Sequence, residues 1–275
     1  SIPDPHTPFW TRTPYSTQYK PEDLPLPETL EVPEFMPMAQ TKEIQATFMT
    51  TQAARYKKPV EQLLREWKGQ YCGMAKCIDD SVGRILDCLK EQGQLDNTVI
   101  VYTSDHGEHM GEQGIYSKAR PFNASYHIPF LIRWPEKIRP GTVLNAPSST
   151  IDFKPTILSL LGMQAQQPSA GRDLSPWFVS DPGEEGLVYI QTVNLHAGLI
   201  TDRYMLTFNF DWTQKKVADQ HGVLLFDRKK EPFQKVNLAE DPSYFPLIRK
   251  YHAMLLDKHR QIGSRHVPWL ETWPG

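Results

Sequence analysis

The sequence predicts an α/β fold: a mixed, mainly parallel sheet flanked by helices, with a smaller C-terminal α+β subdomain. Three observations carry this. Val99 to Tyr102 is a short apolar run that breaks into the polar turn Ser104-Asp105-His106-Gly107, as a strand buried on both faces does at its carboxyl end. Before it, apolar residues from Val60 to Leu89 recur at steps of three and four, the signature of one long amphipathic helix. After it, Leu187 to Thr192, Gly198 to Phe210 and Val223 to Asp227 alternate with the period of antiparallel strands.

In chain order, residues 1–40 are crowded with proline, so neither a helix nor a central strand runs far there. Pro59 opens the long helix and Gly93 stops it. A turn with Asp96 and Asn97 feeds the strand at Val99, and helix followed by strand is one α/β unit. Pro129 to Trp134 reads as a second strand ended by Pro135. Ile151 to Leu161 reads as a short helix with Asp152 at its start and Gly162 past its end. The Gln-, Pro- and Gly-rich stretch 164–186 is a linker, which divides the chain into 1–170 and 171–275, and Tyr244 to Ile262 is a terminal helix stopped by Gly263.

Composition excludes several classes. A chain of 275 residues with net charge −2 and no basic run offers no electrostatic footprint for nucleic acid. No apolar stretch approaches the ~20 residues that cross a bilayer, and the opening S-I-P-D-P-H lacks the regions of a signal peptide. Cys72, Cys77 and Cys88 fall on one helix at spacings that disulfide geometry does not bridge, so free thiols are expected and the compartment stays open.

The strand end at Asp105 and His106 is the candidate site. Carboxyl ends of strands line the ligand crevice of open α/β sheets, and a carboxylate beside an imidazole offers a hard and a borderline metal donor. An Asp-His turn also serves simply to cap the next element. Gly107, Gly111 and Gly114, ending in the cation Lys118, make a close-approach loop and favour the ligand reading. His6, in P-H-T-P-F, is held between prolines as a site residue would be, although a lone histidine is more often an ordinary surface group.

The run T-S-D-H-G-E-H-M-G-E-Q-G, the following Lys118, P-F-L-I-R-W-P, I-D-F-K-P-T-I-L-S-L-L-G and the late L-F-D-R-K-K-E-P-F-Q-K-V-N-L-A together resemble the sulfatases of the alkaline phosphatase superfamily. The opening P-H-T-P-F and the helical I-D-D-S-V-G-R-I-L resemble the same family. The resemblance implies sulfate monoester hydrolysis. Asp105 and His106 would ligate one divalent cation, most often calcium in the family; relatives often carry Asn at the second position, which leaves the metal open. Lys118 would contact the sulfate or the bridging oxygen, and His6 would hold a sulfate oxygen or protonate the leaving group. The implied partner is a sulfated small molecule or carbohydrate.

The family's formylglycine arises from Cys or Ser in C/S-x-P-S-R, and no such motif occurs here. The chain therefore reads as the C-terminal part of a sulfatase, its fold incomplete, the formylglycine-bearing N-terminal part absent and turnover by this chain alone negligible. Asn123, Ala124 and His127 also stand where relatives often have Glu, Glu and Arg. Two other readings stay open: a phosphodiesterase or phosphonate monoester hydrolase of the same superfamily, and a non-catalytic sulfatase-like fragment. An incomplete sheet would leave apolar edges through which the chain self-associates.

Overall fold

The computed structural model describes residues 1–31, 33–36, 39–164, 170–178, 186–192 and 195–275, with side chains left aside over 39–46. Within the expected linker at 164–186, residues 165–169 and 179–185 lie outside the described residues, and the described part 170–178 contains a single helical turn at Ser175–Phe178.

The proline-rich opening forms neither helix nor strand beyond two short turns, Tyr15–Thr17 and Pro21–Asp23. Its backbone groups need partners, and the long helix supplies them. Gln70 accepts from the Thr11 N–H at 3.1 Å and donates to the Ser16 carbonyl at 3.0 Å, while Arg65 donates to the Leu24 carbonyl. The Tyr15 hydroxyl donates to Asp80 at 3.0 Å. A Cβ on Gly73 would stand 2.5 Å from the Tyr15 carbonyl oxygen, so the two segments touch backbone to backbone.

Helix α1 (Ala39–Tyr56) is absent from the sequence reading, and its Thr- and Gln-rich sequence carries no clear apolar stripe. Helix α2 (Val60–Glu91) matches its expected span and buries Leu63, Leu64, Met74 and Ile78. The three cysteines are free.

Strands β1 (Ile100–Thr103) and β2 (Phe130–Arg133) pair antiparallel, Ile100 opposite Arg133. This corrects the expectation of a mainly parallel sheet. A parallel partner requires a crossover of a dozen or more residues, usually a helix. The connection here holds only a short turn at Glu112–Gly114 and the one-turn helix α3 (Asn123–Tyr126), so the chain returns alongside in the opposite direction. Nor is β1 buried on both faces: Ile100 and Val101 are half-buried, and Tyr102, Phe130 and Leu131 are exposed.

Helix α4 (Phe153–Leu160) follows a turn closed by a reciprocal Ser149–Asp152 capping box. The second sheet comprises β3 (Leu187–Thr192), β4 (His196–Thr201), β5 (Tyr204–Asp211), the short β6 (Lys216–Val217) and β7 (Val223–Asp227). Every pairing in it is antiparallel, with β4 between β3 and β5, and β5 against β7. Its period-two alternation sends side chains to two different cores. Leu199, Leu206, Phe208 and Leu225 pack under Ile248 and Leu255 of α5 (Phe245–Gln261) and Leu270 of α6 (Val267–Leu270). On the opposite face Leu224 and Phe226 meet Ile115 and Phe122, residues of the loop that follows β1.

Asp227 shows what the sheet edge demands of a buried charge. Burial alone would raise its pKa, but Arg203, donating at 3.0 and 2.8 Å, and the Lys229 and Lys230 N–H groups hold the carboxyl below its ordinary value. The buried histidines go the other way. Burial lowers His109 and His259 to about 4 and His196 to about 3. Each is neutral in the native state and gains a proton on unfolding below pH ~6.5, so stability falls as pH drops from there toward 4. The slope is about 1.4 kcal/mol per pH unit for each proton. Urea denaturation at pH 7.5, 6 and 5 is expected to show this decline, and His196→Gln to make it shallower by one proton's share; equal slopes in both proteins would refute the assignment.

Candidate active site

The polypeptide leaves β1 through a turn tied by its own polar side chains. Ser104 Oγ donates to the His106 carbonyl at 2.9 Å, and Asp105 Oδ1 accepts the His106 N–H at 2.9 Å. His106 Nδ1 lies 2.8 Å from the Gly107 carbonyl, which makes it the protonated nitrogen and leaves Nε2 as a lone-pair donor, 3.7 Å from Asp105 Oδ2. The Asp105 side chain is 86% exposed. Desolvation opposes its ionisation, but His106 and the surrounding N–H groups outweigh this and hold the carboxyl below its usual range.

Gly107 then passes against the turn at 122–126. Its N–H donates to the Ser125 carbonyl at 2.9 Å, and a Cβ there would lie 2.0 Å from the Ala124 carbonyl oxygen. The Ser125 hydroxyl meets His109 Nε2 at 3.0 Å and accepts the Arg120 N–H at 3.3 Å. His109 Nδ1 lies 3.1 Å from the Glu112 carbonyl. Beyond it the chain turns through Gly111, whose φ of 97° suits glycine. Gln113 then donates to the Phe233 carbonyl at 3.0 Å, docking the loop on the C-terminal segment.

Asp105 and His106 are thus adjacent, and Lys118 comes back within electrostatic reach of the same loop through Glu108. Among the described residues the Lys118 ammonium makes no ion pair or hydrogen bond. Glu108 is a residue the sequence reading passed over. Burial raises its pKa, Lys118 and His106 act against that rise, and its Oε1 has no hydrogen-bond partner among the described residues. A carboxylate three positions after Asp105 and ten before a cation was the signal available. His6 is exposed, and its bonds stay local, to the Pro3 and Thr7 carbonyls. What links its segment to the site is Phe9, packed on Trp67 and Tyr71, with Tyr71 in turn facing the charge of Glu108.

One carboxylate oxygen and one imidazole nitrogen fit one side of a divalent cation. Calcium takes six to eight oxygens, and no group of three His, Cys, Asp or Glu able to hold a metal occurs among the described residues. The pair is therefore a partial donor set.

With the geometry in place, comparison with known proteins identifies the class. Residues 1–163 match the sulfatase family, and residues 111–261 match the C-terminal region of N-sulphoglucosamine sulphohydrolase. The chain therefore belongs to the sulfatase family. It is 31% identical to the multifunctional alkaline phosphatase superfamily protein PehA of Trinickia caryophylli, over 98% of this chain and 56% of that protein. It is 36% identical to an N-acetylglucosamine-6-O-sulfatase of Bacteroides thetaiotaomicron, over 76% of this chain and 39% of that protein. The fold resembles the phosphonate monoester hydrolase of Silicibacter pomeroyi, with TM-score 0.72 and 28% identity, covering 96% of this chain and 55% of the other. The chain spans about half the length of these relatives.

These matches correct the reading of the chain as a C-terminal part only. Its first 163 residues match the sulfatase model itself, and the separate C-terminal model begins at residue 111.

The contact at Gly107 gives a direct test of the loop's architecture. Gly107→Ala forces the 122–126 turn away and is expected to cost about 3 kcal/mol, read as a lowered denaturation midpoint. Gly83→Ala, where a Cβ meets nothing within 4 Å, is expected to leave the midpoint unchanged or raise it.

Proposed function

We propose that this chain hydrolyses sulfate esters of a sulfated carbohydrate or other small molecule. The observation that carries the reading is the Lys118 ammonium, unpaired among the described residues, returning to the loop that bears Asp105 and His106 at the end of β1. Cleaving a sulfate ester builds negative charge on the leaving oxygen while the sulfuryl group stays anionic, so the site must present fixed cations and a proton donor. Lys118 supplies a cation that needs no reorganisation. His6, on an exposed loop between Pro5 and Pro8, supplies an imidazole able to hold a sulfate oxygen or to protonate the departing alcohol.

Asp105 and His106 contribute two ligands to a divalent cation, calcium in this reading, which when bound polarises the ester. His106 Nδ1–H, held by the Gly107 carbonyl, leaves the Nε2 lone pair, 3.7 Å from Asp105 Oδ2, for that purpose. C/S-x-P-S-R does not occur among the 275 residues. A second copy of the chain is the partner suggested by exposed Tyr102, Phe130 and Leu131 on the β1–β2 sheet.

Similarity over nearly the whole chain to a phosphonate monoester hydrolase supports a second reading, phosphonate or phosphate diester hydrolysis. Parallel assays of sulfate release from sulfated sugars and of phosphonate monoester cleavage separate the two. Faster phosphonate turnover with two tightly bound zinc ions would overturn the sulfatase reading.

Lys118→Ala is expected to lower kcat/KM for the sulfate ester by ~10²–10³, the loss typical of one oxyanion-stabilising group. Asp105→Ala is expected to abolish the rise in melting temperature on adding calcium, whereas Cys77→Ala retains it. Equal calcium shifts in both variants would remove Asp105 from the ligand set.

A further inference from the structure

Lys118 is followed within two positions by another cation in a different setting. Ala119 has φ 65°, a left-handed turn between the two. The Arg120 N–H is fixed by Ser125 Oγ at 3.3 Å, the hydroxyl that also holds His109. Arg120 is therefore anchored to the same turn that clamps Gly107. Its guanidinium is half-buried, and loss of water pulls its pKa below the ordinary value.

Other arginines of this chain find an acceptor: Arg172 lies 2.8 Å from Asp152, Arg203 lies 2.8 Å from Asp227, and the half-buried Arg228 donates to the Thr201 carbonyl at 2.9 Å. Arg120 has no carboxylate and no hydrogen-bond acceptor for its side chain among the described residues. The titratable groups that feel its charge are His109 and His196, both buried and uncharged, and neither is a counter-ion. Dehydrating a guanidinium without pairing it is unfavourable, so the arrangement is one that an anion completes. The planar fork of donors suits a carboxylate or a sulfate.

We infer that Arg120 is a specificity-determining residue that binds a second anionic group of the substrate, a carboxylate or a further sulfate beside the ester that Lys118 faces. The inference rests on the sulfate-ester reading above and narrows it to polyanionic esters. Arg120 touches the substrate away from the reacting atoms, so its loss acts on binding and KM more than on kcat.

The test is calorimetric binding at one fixed ionic strength. Three ligands are compared: a hexosamine with one sulfate, the same hexosamine with two, and a hexuronic acid with one. The protein is expected to bind at least one doubly anionic ligand tenfold or more tighter than the singly anionic one. Preference for the disulfate identifies a second sulfate, and preference for the uronic acid identifies a carboxylate. Arg120→Gln should bring all three within about twofold, while Arg120→Lys, which keeps the charge, should retain an intermediate preference and stands in if the Gln variant does not fold. The inference is overturned if the wild-type protein binds the three alike or binds none, or if Arg120→Gln weakens all three equally. Sulfate release is measured separately, and its absence with the binding preference intact would sink the hydrolase reading while leaving this assignment standing.

Discussion

Everything that makes the loop after β1 a site depends on one close approach, the backbone of Gly107 against the carbonyl of Ala124. At that separation no side chain fits, and the Gly107 N–H can reach the Ser125 carbonyl. Ser125 then serves two further groups through its hydroxyl, His109 and the Arg120 backbone. Three short polar contacts therefore set the positions of Asp105 and His106 on one strand of the loop and of Lys118 and Arg120 on the other. The neighbouring apolar contacts, Ile115 and Phe122 against Leu224 and Phe226, brace this arrangement on the C-terminal sheet.

The charges divide into two populations by their surroundings. Asp152 and Asp227, nearly inaccessible, are each matched by an arginine and by backbone N–H groups. Such pairs stabilise the fold and leave nothing for a ligand. At the loop the balance is reversed, with Asp105 open to solvent, Glu108 half-buried without a full set of partners, and the Lys118 and Arg120 side chains unpaired among the described residues. Unmet electrostatic demand gathered in one place is what distinguishes a binding locus from a scaffold.

The elements with strong periodicity were legible in the sequence. Helix α2, strands β3 and β7, and the terminal helix fall within a residue or two of their expected spans. Strand direction was not legible in Val99 to Tyr102, because an apolar tetrapeptide reads the same whichever way its partner runs; the absence of a crossover helix before Phe130 decided it. Helix α1 was missed because its sequence lacks an apolar stripe. In the site, Asp105, His106 and Lys118 stood out by residue type, whereas Glu108 and Arg120 acquire their character only from burial, which a linear pattern does not display. His6 was singled out for its proline neighbours, and the structure gives it only local bonds.

The first thirty residues own almost no hydrogen-bonded ladder; their order is borrowed from one flank of α2 through Gln70, Arg65, Asp80 and the bare surface at Gly73. A strap fastened in this way behaves as a single unit in amide exchange, since freeing one fastening slackens those beside it. Phe9 is one of its rivets, and the tyrosine beneath it also senses Glu108. Loosening of the amino-terminal strap would therefore be felt as altered polarity at the mouth of the loop, far from it in sequence and adjacent to it in space.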